Sequence, residues 1–191
     1  MQPGLAGGAE KGIGMTVTIP HVEVVQNAYV VPDVAAAAQH FHDLYGIGPF
    51  LVGRGLEMRD AVYRGKPATE PIVIDVALAQ AGEITIELMA QQTDAPSAFR
   101  DMYPEGGPGL HHVATWSQDW MKDRQAFADA GLEIAMETLG RGDYRICFVD
   151  ARPVLGHMIE LYPDHPDLRA LYRRIRHQAA TWDGRELLVP L

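Results

Sequence analysis

The chain repeats itself. Placing Gln26 under His112, an offset of 112 − 26 = 86, aligns Ala28 with Ala114, Asp33 with Asp119, Gln39 with Gln125, Phe41 with Phe127 and Asp43 with Asp129. Five identities in one ungapped window of about eighteen residues point to a single supersecondary unit used twice. A second echo lies downstream, where Ile86-Glu87-Leu88 recurs as Ile159-Glu160-Leu161 at an offset of 160 − 87 = 73. A loop deletion in the second copy accounts for the shorter spacing.

Both copies follow one grammar. In the first, Val24–Val31 is a β-branched run that Pro32 ends, and Asp33 is placed to cap a helix. Val34, Ala37, Ala38, Phe41, Leu44 and Tyr45 keep helical spacing, and Gly46 stands where a helix ends. In the second, Leu110–Trp116 is the strand and Asp119 the cap. Trp120, Phe127 and Ala130 form the helical stripe, and Gly131 is the stop. Three strand-like runs follow each helix: Phe50–Leu56, Ile72–Ala79 and Glu83–Ala90, then Leu132–Thr138, Tyr144–Val149 and Val154–Tyr162.

The expected layout is an arm over 1–22, a first βαβββ module over 23–90 and a connection over 91–109. A second module over 110–163 and a C-terminal helix and tail over 164–191 complete it. The connection carries a short helix near Ser97–Tyr103 before a Glu-Gly-Gly-Pro-Gly turn. The C-terminal helix, Asp167–Gln178, shows a stripe of Leu168, Leu171, Tyr172 and Ile175 among arginines. It reads as packed on the outside with its arginines in water. The other reading gives one arginine an anionic ligand or a partner subunit. The fold class is α+β, two βαβββ modules paired around a cleft lined by mixed β-sheet, plus that helix.

A net charge of −9 argues against a nucleic-acid groove, which needs a basic stripe. Cys147 is the only cysteine, which excludes an intrachain disulfide and a thiolate zinc site. No run is apolar for long enough to span a membrane, and the Gly-rich start lacks the form of a secretory signal, so a cytoplasmic location is the expectation. No glycine pattern for a nucleotide cofactor is present.

The chemistry follows from strand alternation. Ile84, Ile86 and Leu88 share the face that packs under a helix, which leaves Thr85, Glu87 and Met89 on the other. Met158, Glu160 and Tyr162 share the equivalent face. One carboxylate in mid-strand would read as an open sheet face in water. Two at matching places in a repeat call for a partner or a cation. The offset also pairs Gln26 with His112 at the first strands, where alternation turns His111 to the helix side. His21, His40, His42, His157, His165 and His177 have no partner spacing and read as surface residues or caps. If the modules pair, Gln26, Glu87, His112 and Glu160 converge on one cavity. An imidazole, an amide oxygen and two carboxylates suit one divalent ion, Zn, Ni, Co, Fe or Mn, with positions left for water or substrate.

These segments resemble the vicinal-oxygen-chelate superfamily, which includes glyoxalase I, methylmalonyl-CoA epimerase, extradiol dioxygenases and drug-resistance binding proteins. Val-Val-Pro-Asp-Val (30–34) and Leu-Tyr-Gly-Ile-Gly-Pro-Phe (44–50) are similar to the glyoxalase/epimerase branch. Gly-Leu-His-His-Val-Ala (109–114) and Met-Ile-Glu-Leu-Tyr (158–162) are similar to that branch's second module. The resemblance covers Val24 to Pro163. It implies metal ligands at Gln26, Glu87, His112 and Glu160, and a homodimer as the assembly to look for. It also implies a lyase or isomerase that moves a proton next to a carbonyl through a metal-stabilised enolate, on a small or acyl-thioester substrate. Glu160 is the leading base and Glu87 its counterpart. Phe50, Met58, Met89, Trp116, Met158 and Tyr162 are candidates to line the cavity around a partly apolar small molecule. A non-catalytic protein that sequesters an apolar compound is the rival. An iron-dependent dioxygenase ranks lower, because Gln26 stands where that chemistry needs a histidine.

Overall fold

The computed structural model describes residues 23–191, so the whole of the arm, and His21 with it, lies outside the described residues. Strand β1 (Glu23–Val30) leads to helix α1 (Val34–Tyr45). Asp33 caps α1, accepting the Ala36 N–H at 2.7 Å, and Gly46 ends it in the left-handed region that a side chain would strain. Then follow β2 (Phe50–Glu57), β3 (Arg59–Tyr63), β4 (Lys66–Pro67), β5 (Val73–Ala81), β6 (Ile84–Gln91) and α2 (Ala98–Met102). The second half holds β7 (Gly109–Ser117), α3 (Trp120–Asp129), β8 (Ile134–Leu139), β9 (Arg145–Val149), α4 (Arg152–Leu155) and β10 (Met158–Pro163). Helix α5 (Pro166–Thr181) and strand β11 (Leu188–Pro190) close the described chain.

All strands join one sheet in the order β11-β2-β5-β6-β1-β7-β10-β9-β8-β3-β4. Within it β1-β6-β5-β2 and β7-β10-β9-β8 are the same four-strand unit, joined where β1 and β7 run antiparallel. The register carries the repeat in full. Gln26 faces Ala114 and Ala28 faces His112, while Asn27 faces Val113 and so marks the pseudo-twofold axis. On the outer side of each pair Ala28 lies beside Glu87 and Ala114 beside Glu160, both in parallel register.

Two departures from the repeat follow, and the first explains the change of offset. The first module inserts the β3–β4 hairpin, which pairs not with its own module but with β8 of the second. Only Met58 separates β2 from β3, so the chain passes from one flank of the sheet to the opposite one within a residue. Consecutive Cα atoms are about 3.8 Å apart, so the sheet has to curl around a hollow. The second departure corrects the last expected strand. Val154 and Leu155 lie in α4, where Pro153 takes the first turn that its missing N–H suits, and Gly156 ends it at φ 77°. The strand begins at Met158.

The outer face of the sheet is covered as expected. Ile86 and Leu88 pack with Val34 and Ala38 of α1, while Leu161 and Cys147 pack with Phe127 of α3. The inner face is filled by the two helices outside the repeat. Phe99 of α2 meets Ala28, Val30, Met89 and Phe148 at one end. Leu168 and Tyr172 of α5 meet Val25, Trp116 and Tyr162 at the other, and Ile175 meets Leu51 and Leu78. Helix α5 is therefore not packed on the outside. Its apolar stripe enters the hollow, and Arg173, Arg174 and Arg176 stay exposed.

Candidate metal centre

At the junction of the modules the four paired residues converge. One ligand atom each from Glu87, His112 and Glu160 falls within 4.8 Å of the others. His112 Nε2 lies 2.9 Å from Glu160 Oε2 and 3.5 Å from Glu87 Oε2. The Gln26 amide nitrogen donates to Glu87 Oε2 at 2.7 Å and sits 3.4 Å from His112 Nε2. His112 is fully buried and Glu160 nearly so, whereas Glu87 keeps 12% of its side chain exposed. The centre opens to solvent on the Glu87 side.

Hydrogen-bond bookkeeping fixes which nitrogen of His112 looks inward. His111 Nε2 lies 2.9 Å from the Ala98 carbonyl, which only accepts, so that nitrogen carries the proton. Burial, with the neighbouring His112 ring adding to it, lowers the His111 pKa to about 3 and keeps it neutral. Its Nδ1 is then a lone pair, 2.9 Å from His112 Nδ1, which must donate. His112 Nε2 is left to face two carboxylates. Burial would lower the His112 pKa, but the Glu160 and Glu87 charges outweigh it and raise it to about 9. Either a proton or a cation answers that charge. Glu160 Oε2 is buried and makes no hydrogen bond despite its nearness to the ring. An orphaned carboxylate oxygen beside an imidazole nitrogen and a second carboxylate is a donor set that fits a divalent ion. Burial, then the Glu160 charge, raises the Glu87 pKa.

His111 contradicts strand alternation, and the reason is a β-bulge. Ala28 pairs with His112 and Tyr29 with Leu110, so His111 is an extra residue that pairs with nothing and is re-aimed toward Phe99 and Phe148. The same irregularity in β1 skips Val25, 86 residues earlier. A one-residue bulge leaves no mark in apolar periodicity.

From the centre a cavity of ≈ 430 Å³ runs outward between the modules. Met58, Met89 and Tyr162 line it, with Glu87 and Glu160 on its wall. The other three candidates do not. Phe50 sits under α1, because β2 turns it to the outer face together with Val52. Met158 shares the inner face with Glu160 but is covered by the cluster around Phe99, and Trp116 is packed against Tyr162 and Tyr172. Sequence reasoning missed Val76, Phe148, Leu168, Leu171 and Leu191, the last three because α5 and the tail were expected elsewhere. Arg59 and Arg141 stand on the same lining. Among the described residues no helix is long and apolar enough to cross a membrane.

Comparison with known proteins agrees with this architecture. Residues 25–148 match the family model of the Glyoxalase/Bleomycin resistance protein/Dioxygenase superfamily. Methylmalonyl-CoA epimerase from Mycobacterium tuberculosis shares the fold at a TM-score of 0.53 and 20% identity, over 77% of this chain and 91% of that one. A variant of Streptomyces coelicolor methylmalonyl-CoA epimerase in complex with 2-nitronate-propionyl-CoA gives 0.52 and 16%, over 75% and 94%. A hypothetical protein from Bacillus halodurans C-125 gives 0.56 and 14%, over 76% and 96%. No curated protein matches the chain.

Proposed function

The chain belongs to the Glyoxalase/Bleomycin resistance protein/Dioxygenase superfamily, and we propose that it is a metal-dependent lyase or isomerase, epimerase-like, that moves a proton next to a carbonyl. The observation that carries this reading is the buried meeting of His112 Nε2, Glu87 and the orphaned Glu160 oxygen beside an apolar cavity. Glu87, His112 and Glu160 would hold a divalent ion, with Gln26 as the fourth contact. Such an ion supplies a Lewis acid that offsets negative charge developing on a substrate oxygen.

The protein's own groups divide the proton work. Glu160 Oε2 accepts no hydrogen bond, whereas Glu87 Oε2 accepts one from Gln26, so the Glu160 oxygen is the one left free to receive a proton. Glu160 takes the α-proton. Glu87, reaching in from the other module, can return it. Return to the opposite face of the same carbon gives an epimer, and return to the neighbouring carbon gives an isomer. The lining of Met89, Val76, Phe148 and Leu171 excludes water from the carbanion and fits a partly apolar substrate, a 2-acyl thioester or an α-hydroxy carbonyl compound. The fold shared with methylmalonyl-CoA epimerases supports this choice of reaction class.

The test joins metal analysis to isotope exchange. Purified protein should carry about one divalent ion per chain, lost to a chelator, and should exchange the α-proton of such a compound in heavy water. The apolar walls equally suit a sequestering protein. Tight binding of an apolar compound that ignores the chelator, with no exchange of any carbonyl substrate, would select that rival.

A further inference from the structure

Helix α5 lies outside the segment that matches the superfamily, yet it reaches the centre through one polar atom. Tyr172 is buried between Trp116 and Tyr162, and its hydroxyl donates to Gln26 Oε1 at 2.8 Å. That bond turns the Gln26 amide so that its NH2 points inward, to Glu87 at 2.7 Å and near the Tyr162 hydroxyl at 3.3 Å. An inward NH2 cannot ligate a cation. An inward oxygen can.

A phenol hydroxyl both donates and accepts, so Tyr172 suits either orientation. We propose that Tyr172 is a positioning residue for Gln26: it donates to the amide oxygen when the NH2 holds Glu87, and accepts from the NH2 when the amide turns its oxygen onto a metal ion. Val25, the residue before Gln26, is apolar and offers no such partner. Exchange of oxygen and nitrogen within the amide leaves the rest of the side chain in place, so the packing of α5 is not disturbed. The site in this chain is therefore completed by its C-terminal helix.

The inference rests on the metal reading above. Co2+ titration of the wild type, Tyr172→Phe, Gln26→Ala and the double variant tests both. Tyr172→Phe keeps the ring and should bind Co2+ about 10- to 100-fold more weakly, the usual loss when a ligand's outer partner goes. In the Gln26→Ala background it should cost nothing more, because Tyr172 acts through Gln26. In the wild type the Gln26 side-chain NH2 resonance, identified by its loss in Gln26→Ala, should shift when Zn2+ is added. No Co2+ uptake by the wild type would defeat the metal reading itself. Wild-type uptake with an unchanged Tyr172→Phe affinity, additive losses in the double variant, or an unmoved Gln26 resonance would overturn the role of Tyr172 alone.

Discussion

The two modules solve the same local problem with different residues. In each, a bulge makes one residue extra just before the inward side chain: Val25 before Gln26, and His111 before His112. Val25 is apolar and contributes only packing, in the cluster with Trp116 and Tyr172. His111 is polar, bonds to its neighbour's ring and ties it to the Ala98 carbonyl of α2. The first module obtains its polar support from Tyr172 of α5 instead. Duplication thus supplied the pair of half-sites, and elements outside the repeat set the orientation of each. The second half-site holds the rigid, fully buried ligand, and the first holds the adjustable amide and the more exposed carboxylate.

If the halves differ in this way, equivalent substitutions should have unequal effects. The largest belongs to the carboxylates. Glu160→Gln keeps the shape of an oxygen ligand but loses the free basic oxygen, so α-proton exchange in heavy water should fall about 100-fold or more. Glu87→Gln should lower exchange less. Equal losses, or a larger one at Glu87, would reverse the assignment of base and counterpart.

Core truncation comes next and separates the modules again. Phe127 is 6% exposed in the cluster with Leu132, Val149 and Leu161, so Phe127→Ala should cost about 3–5 kcal/mol in urea unfolding. Phe41, its repeat partner, is only partly buried and packs edge-on to Tyr29, so Phe41→Ala should fall below that range. Matching losses would mean that the helix α1 flank is more tightly packed than its exposure implies.

The His111 position then tests the bulge. Alternation alone has His111→Ala leave the ion in place. The structure reverses that expectation, because without His111 nothing fixes which nitrogen His112 presents. His111→Phe fills the space without the bond and should weaken metal binding about 10- to 100-fold. The equivalent change at Val25, to Ala, should leave metal affinity unaltered.

How much of this was legible follows from what kind of signal each feature leaves. Strand alternation placed Glu87 and Glu160 inward and Ile86 and Leu88 under α1, and the caps Asp33 and Asp119 fixed both helix starts. These are periodic or local features. The partner strand of β3 was not legible, since its pairing with β8 is settled by curvature of the whole sheet. Nor was the side on which α5 docks. An amphipathic stripe says that a helix packs, not on which face, and the same stripe suits the outer surface or the hollow. Phe50 was misplaced because membership of a strand does not reveal which parity faces the cavity.

The smallest expected effect concerns the seam between the modules. Arg64, on the inserted hairpin of the first module, reaches Asp150 at 2.8 Å and Glu133 in the second, and Asp101 on α2, which links the two. Asp150 also pairs with Arg152. The Arg152 and Arg64 guanidiniums hold the Asp150 carboxyl well below the usual carboxylate range, against the opposing effect of burial. A carboxylate depressed in the folded state stabilises the fold above its unfolded pKa and loses that contribution as pH falls toward its folded value. Wild-type stability should therefore decline once pH drops below the ordinary carboxylate range near 4, and Asp150→Asn should flatten that part of the decline. At neutral pH the substitution should cost about 1–2 kcal/mol, because Arg64 keeps Asp101 and Glu133. Urea unfolding at pH 7 and at pH 3 measures both. A loss at pH 7 that persists undiminished at pH 3 would show that packing at Asp150, not its charge, holds the two modules at this seam.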